Sequence, residues 1–230
     1  MDARRRVPPD AEEGAPPVRF VSVGEEFELQ EALLRRGEAT VRVGILRDRG
    51  LSFGVGVHPQ AAYLLRARAL GVRTFPRGTG GTGVLHLQDD LVWAVVLPRS
   101  DPRVGRDFSR AYGRLGSAVV TGLSAFGLRG QWVGAPGLVE DYCPLSSRGE
   151  VLVAGGKVLG GAAQHVTSSA LLHHGSVSWN IDRPEVDRLF DLPPGGPSQR
   201  LGGVAELGGV PDPTALAEAV AAALLERFGV

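Results

Sequence analysis

At 230 residues with 43% hydrophobic side chains, the chain is long enough to bury one sizeable core, and 25 Lys+Arg against 25 Asp+Glu leave no net charge to recruit nucleic acid. No apolar run approaches the roughly 18–20 residues of a membrane span. A single cysteine, Cys143, excludes an internal disulfide and points to a reducing compartment, the cytoplasm.

Met1 to Val18 carries Arg4–Arg6, several prolines and acidic residues but no apolar stretch, so it is expected to be a disordered tail rather than a signal peptide. One domain is expected over 19–230. Apolar spacing predicts a helix over Glu25–Arg36 and a strand over Val41–Leu46. A second strand is expected over Leu51–Val57, then a helix over Gln60–Leu70 stopped by Gly71. Val72–Phe75 and Leu91–Leu97 read as strands, and Arg103–Leu123 as a long helix. Glu150–Ala154, the turn Gly155-Gly156 and Lys157–Ala163 read as a hairpin, with a further strand over Ala170–Trp179. Glu185–Leu189 is a short helical turn and Asp191–Pro197 a loop. Pro213–Phe228 is a terminal helix with Asp212 as its N-cap. Helices flanking a mostly antiparallel sheet, without sustained βαβ alternation, make the fold class α+β.

Two features carry chemistry. Of the 25 Lys+Arg residues 24 are Arg, which leaves Lys157 as the single lysine. Lysine and arginine are not interchangeable where a compact charge is required. The second feature is Arg77-Gly-Thr-Gly-Gly-Thr-Gly-Val-Leu-His86, in which glycines let backbone amides converge on a ligand oxygen beside a fixed cation. It lacks the Gly-Lys-Ser/Thr ending of a phosphate-binding P-loop, and a strand rather than a helix is expected to follow it, unlike a dinucleotide fingerprint. On its own, a glycine-rich turn is more often a structural loop than a site.

With its neighbours, this segment resembles the lipoate–protein ligase and octanoyltransferase family, whose glycine-rich motif runs Arg-Arg-x-Thr-Gly-Gly-Gly-x-Val-x-His. Arg77, Thr79-Gly80-Gly81, Val84 and His86 match it, while Pro76 replaces the first arginine and Thr82 the third glycine. Gly156-Lys157-Val158-Leu159-Gly160-Gly161-Ala162-Ala163-Gln164 resembles the family's Gly-Lys-x-x-Gly-Ser-Ala-Gln, and His173-His174-Gly175-Ser176 follows as in the family. Leu201 to Leu207 resembles the segment before the last helix. The resemblance therefore runs from about Phe27 to the C-terminus. It implies a biotin/lipoate protein ligase catalytic-domain fold, akin to class II aminoacyl-tRNA synthetases.

Asp141-Tyr142-Cys143-Pro144 resembles the Tyr-Cys-Pro segment of the family's cysteine-dependent octanoyl- and amido-transferases. The ligases commonly carry Asn-Asp ahead of the lysine strand, where this chain has Ser146-Ser147. The resemblance implies Cys143 and Lys157 as catalytic residues. Arg77, Thr79, Gly80, Gly81, Val84, His86, Gly160, Gly161, Ala162, Gln164, His174 and Gly175 would hold the acyl group, and no metal centre is implied. Lys157 is expected within ~10 Å of the Gly80–Gly81 backbone, with the cysteine loop folded back to join thiol and ammonium. His86, His174 and Cys143 each also read as ordinary core residues.

Three functions stay open. The first is transfer of an octanoyl or lipoyl group through a cysteine thioester, from an acyl carrier protein or an acylated lipoyl carrier to a lysine of an apo-lipoyl domain or GcvH-like carrier, with no cofactor. The second is an ATP- and magnesium-dependent lipoate ligase. The third is a non-catalytic protein that binds an acyl group or carrier. None of the three calls for nucleic acid or a membrane.

Overall fold

Ser22 starts the first helix. Its hydroxyl accepts from the Glu25 amide at 3.3 Å while the Glu25 carboxylate accepts from the Ser22 amide at 2.8 Å, a reciprocal cap that satisfies two orphan donors. In the computed structural model, which describes residues 18–104, 108–146 and 149–228, strand β1 (Val18–Val21) leads into helix α1 (Val23–Arg36). Gly37, at φ 70°, ends α1 in the left-handed conformation. Strands β2 (Thr40–Leu46) and β3 (Gly50–Gly54) follow, then helix α2 (Ala62–Ala69), β4 (Thr74–Arg77), β5 (Gly83–His86) and β6 (Leu91–Pro98). Helix α3 (Phe108–Ser124) and strand β7 (Gly130–Gly134) precede a 3-10 turn at Cys143–Leu145. The chain continues through β8 (Glu150–Ala154), β9 (Lys157–Val166), β10 (Ala170–Val177), α4 (Arg183–Phe190), α5 (Val204–Leu207) and α6 (Pro213–Phe228).

The strands form a seven-stranded sheet in the order β1-β2-β6-β10-β9-β8-β7, antiparallel apart from the β1–β2 edge pair. A three-stranded sheet, β4-β3-β5, stands beside it. The expected α+β class and largely antiparallel central sheet are what the chain adopts. Several boundaries differ. Val18 belongs to β1, not to the expected tail, whose remaining residues 1–17 lie outside the described residues. Strand β7 was not foreseen. β3 stops at Gly54 rather than Val57, because the chain turns at Gly56, φ 87°. The helix expected from Arg103 begins at Phe108, with residues 105–107 outside the described set.

Alternation in β6 and β10 divides the core. Trp93, Val95, Leu97 and Leu171 face α3 and α6, packing on Leu115, Val119, Leu216, Val220 and Leu224. Ala94, Val96, Ala170 and Leu172 face the other way, against Leu33 and Leu34 of α1, while Val92 meets Val23 and Phe27. Full burial of each large aliphatic side chain contributes roughly 1.5–3 kcal/mol. A further cluster, including Leu51, Tyr63, Leu64, Tyr142, Leu145, Val151 and Phe190, joins the small sheet to α2, α4 and the cysteine turn. The small sheet is thereby held alongside α1, and a pocket opens beneath that helix.

Candidate active site

The glycine-rich loop, residues 78–82, connects β4 to β5 and crosses the end of β3. A Cβ at Gly54 would lie 2.3 Å from the Gly81 carbonyl oxygen, so only glycine admits this crossing. The Val55 amide donates to the Thr79 carbonyl at 3.0 Å and fastens the loop in place. Arg77, the last residue of β4, is 4% exposed and points its guanidinium under the loop. Its Nη2 donates to the carbonyls of Gly80 at 2.9 Å and Thr82 at 3.0 Å, and its Nη1 to Ser52 Oγ at 3.1 Å.

Cys143 reaches the same guanidinium from the other side. The Gly83 amide donates to the Asp141 carbonyl at 3.0 Å, which staples the cysteine segment to β5. Tyr142 is buried with its ring 4.5 Å from that of Phe190, and Ser146 donates to the Cys143 carbonyl through its amide and its hydroxyl. With both flanks fixed, Arg77 Nη2 lies 3.8 Å from Cys143 Sγ. Gly81, at φ 92°, leaves the space between them open: a Cβ there would meet both atoms at 2.7 Å.

From this point a pocket of about 560 Å³, its open mouth included, runs beneath α1. Val84, His86 and Ser52 of the small sheet form one wall; Val92, Gly161, Ala163, His174 and Ser176 of the large sheet form another; Phe27 and Gln30 of α1 cover them. Cys143, Pro144, Glu150 and Val151 also border it. Thr79 Oγ1 and His174 Nε2 are hydrogen-bonded at 2.7 Å, and Ser52 Oγ and His86 Nε2 at 2.8 Å. Burial, with the Arg77 charge second, pushes His86 down to about 3. His174 is held well below the usual imidazole range by burial, then by Arg77 and the neighbouring histidines. Both rings are neutral at physiological pH. Arg77 is itself lowered, chiefly by burial. Gln30 donates through Nε2 to Glu26 at 2.9 Å, and Glu26 pairs with Arg42 at 2.8 Å. Gln30 Oε1 and His86 Nδ1 are buried without a hydrogen-bond partner among the described residues.

Of the residues singled out from sequence, Cys143, Arg77, Val84, His86, Gly161, Ala162, His174 and Gly175 border the pocket. Thr79, Gly80 and Gly81 frame it through the contacts above. Gly160 serves strand packing, since a Cβ there would lie 2.0 Å from the Ser176 carbonyl oxygen. Two residues depart from expectation. The Lys157 ammonium donates to the Gln199 carbonyl at 2.6 Å, and Lys157 is not on the pocket wall. The register shift opposite Leu152/Val153 inserts a residue in β9, so Leu159 packs on the α3–α6 side while Gly161 faces the pocket. Lys157 shares the side of Leu159: a Cβ on Gly202 would touch both. It also stands four residues, about 13 Å of strand, from Gly161. Arg77 is thus the cation in contact with the thiol, and the Lys157 ammonium contacts Gln199 instead. Gln164 lies opposite His173, whose ring packs on Trp93, so its side chain is on the far face of the sheet from the pocket. Alternation from Gly161 and Ala163 dictates this.

Sequence reasoning did not select Ser52, Phe27, Gln30 or Ser176 as wall residues. A usable signal existed for Gln30 and Glu26, polar residues on the apolar face of α1, and for Ser52, a hydroxyl in a short apolar strand. Ser147 lies outside the described residues.

The lipoyl protein ligase A/B catalytic-domain model matches residues 23–229. Octanoyltransferase LipM of Macrococcus caseolyticus is 32% identical over 126 residues, covering 50% of this chain and 44% of that protein. LipM of Staphylococcus aureus is 30% identical over 126 residues with the same coverage. The match thus spans less than half the length of these curated relatives. Among solved structures, lipoate-protein ligase A bound with ATP superposes with a TM-score of 0.72 at 22% identity, covering 90% of this chain and 82% of that one. LipL1 of P. falciparum in complex with lipoate gives 0.67 at 12% identity, covering 92% and 62%. At these identities the structures establish the fold. No helix among the described residues is long and apolar enough to cross a membrane.

Proposed function

The chain belongs to the lipoyl protein ligase A/B catalytic-domain family, and from that premise we propose that it moves an octanoyl or lipoyl group through a thioester on Cys143 to a lysine of a lipoyl carrier domain. The observation that carries this reading is the Cys143 thiol at an apolar pocket, 3.8 Å from the buried Arg77 guanidinium. The match to curated octanoyltransferases supports it.

The chemistry needs no nucleotide. The Cys143 thiolate attacks the carbonyl carbon of an acyl thioester presented by a carrier protein; the new C–S bond forms as the old one breaks, and the departing thiolate takes a proton. This exchange is close to isoenergetic. The neutral amine of the acceptor lysine then attacks the Cys143 thioester, a C–N bond replaces the C–S bond, and the amine proton passes to the released sulfur. Arg77 supplies the counter-charge to the thiolate at both ends of the cycle. The pocket takes the acyl chain: about seven methylene-sized groups at roughly 0.8 kcal/mol each provide ~5–6 kcal/mol of gross binding. Neutral His86 and His174 add no charge to the walls of that slot.

The test is incubation with octanoyl carrier protein and an apo-lipoyl domain, with and without ATP. Transfer without ATP is expected. Lipoylation that requires free octanoate or lipoate together with ATP would overturn the reading in favour of a ligase, and no modification under either condition would leave a binding protein.

A further inference from the structure

One polar chain crosses all three strands of the small sheet. It begins at Cys143 and passes from Arg77 on β4 to Ser52 on β3 and His86 on β5. A guanidinium can only donate hydrogen bonds, so the Arg77–Ser52 contact uses a Ser52 lone pair. Ser52 is 0% exposed, and its Oγ lies 2.8 Å from His86 Nε2. In the neutral tautomer protonated on Nδ1, Nε2 accepts the Ser52 hydroxyl proton, which leaves the serine lone pairs to Arg77.

We propose that Ser52 and His86 are positioning residues, which hold the Arg77 guanidinium with its Nη2 edge against Cys143 Sγ. Nη2 has two N–H groups for three acceptors, the carbonyls of Gly80 and Thr82 and the thiol, so the share that reaches the sulfur depends on how the rest of the guanidinium is held. The Nη1–Ser52 bond supplies that hold, and His86 keeps the serine lone pair turned toward Arg77. Without Ser52, a buried N–H of a charged group loses its acceptor and the guanidinium turns to find another. His86, which the glycine-rich motif presents as a ligand contact, thereby acts on the thiol through two intervening side chains. The inference rests on Cys143 being the acyl carrier, but it concerns thiol reactivity and is tested without any acyl donor.

The experiment is alkylation of Cys143 by iodoacetamide at pH 7 in the full chain, run as a double-mutant cycle. In the native Arg77 background, Ser52→Ala and His86→Leu are each expected to slow alkylation about fivefold. In an Arg77→Met background the same changes are expected to do nothing beyond about 1.5-fold, because the group they position is gone. His86→Gln keeps an acceptor near the place of Nε2 and is expected to recover most of the rate. Trp132→Phe, which loses a hydrogen bond to the Gly116 carbonyl on another part of the fold, controls for general loosening and is expected to alkylate at the native rate. Equal effects in both Arg77 backgrounds, or a His86→Gln variant as slow as His86→Leu, would overturn the proposal. Ser52→Ala, which adds no bulk, carries the test where His86→Leu does not fold. Failure of Cys143 to accept an octanoyl mass would instead remove the acyl-carrier reading and leave the cycle interpretable.

Discussion

Adding one methyl group at Gly81 probes the Arg77–Cys143 arrangement from inside. The backbone there has φ 92°, which an alanine adopts at a cost of about 1–2 kcal/mol. The new Cβ would lie 2.7 Å from both Arg77 Nη2 and Cys143 Sγ, and ordinary contact begins near 3.4 Å, so each must retreat by about 0.7 Å. Nη2 and Sγ, 3.8 Å apart, then separate to about 4.8 Å, and the hydrogen bonds to Gly80 and Thr82 lengthen with them. At an effective dielectric of about 20, that separation weakens the attraction between guanidinium and thiolate by about 0.9 kcal/mol. Loss of the direct contact adds about 1.5 kcal/mol. Together these predict Cys143 alkylation at pH 7 about sixtyfold slower in Gly81→Ala. Backbone strain and stretched bonds together predict a melting temperature lower by about 10 °C for a chain of this size. Rates come from iodoacetamide labelling followed by mass spectrometry, and stability from circular dichroism. A Gly81→Ala protein that melts within about 2 °C of the native one and alkylates normally would refute the geometry.

Gly161→Leu should shorten the acyl slot. Its first carbon meets only the Glu150 carbonyl at 3.5 Å and Val151 at 3.9 Å, and the rest of the side chain displaces about three methylenes, shifting preference toward short acyl donors by about sixtyfold; unchanged octanoyl transfer would contradict the pocket assignment. Lys157→Met should leave Cys143 alkylation within about twofold while lowering the melting temperature a few degrees through loss of the Gln199 contact. A tenfold slower alkylation would put the ammonium at the thiol after all. Acid should destabilise the fold early. His86 and His173 are pushed down to about 3 and His174 well below its usual value, all chiefly by burial, so as pH falls below 6.5 the unfolded chain takes up three protons that the folded chain refuses. Asp90, raised by burial to about 8, opposes with one proton between pH 4 and 8. The net two protons give about 2.7 kcal/mol of lost stability per pH unit at full slope below 6.5. Melting temperatures that stay flat from pH 7 to 4.5 would contradict this.

Elements with long periodic patterns were legible from sequence. Helix α6 has the bounds that Asp212, Pro213 and the apolar spacing dictate, and the Asp212 carboxylate accepts from the Ala215 amide at 2.9 Å. The β8–β9 hairpin followed from Gly155-Gly156, which take φ 56° and 74°. Strands β1 and β7 were not legible, because four residues beside a proline-rich stretch and five bounded by glycines carry too little alternation to register. The same limit applied within the site. Glycine density and the Tyr-Cys-Pro segment located the glycine-rich loop and the thiol. The side that Lys157 faces is set by one inserted residue in β9, which no local pattern announces. Gln164 was misplaced by treating a motif as one ligand-facing unit when a strand sends alternate residues to opposite faces. Ser52 connects to Arg77 and His86 only through the pairing of β3 with β4 and β5.

Whether Cys143 carries the acyl group is decided most directly by intact-mass spectrometry after mixing the protein with octanoyl carrier protein in the absence of ATP. One added octanoyl mass is expected, mapped to the Cys143 peptide, removed by hydroxylamine and absent in Cys143→Ser. An unmodified protein that nonetheless lipoylates its acceptor, or a Cys143→Ser variant that transfers at the native rate, would contradict it.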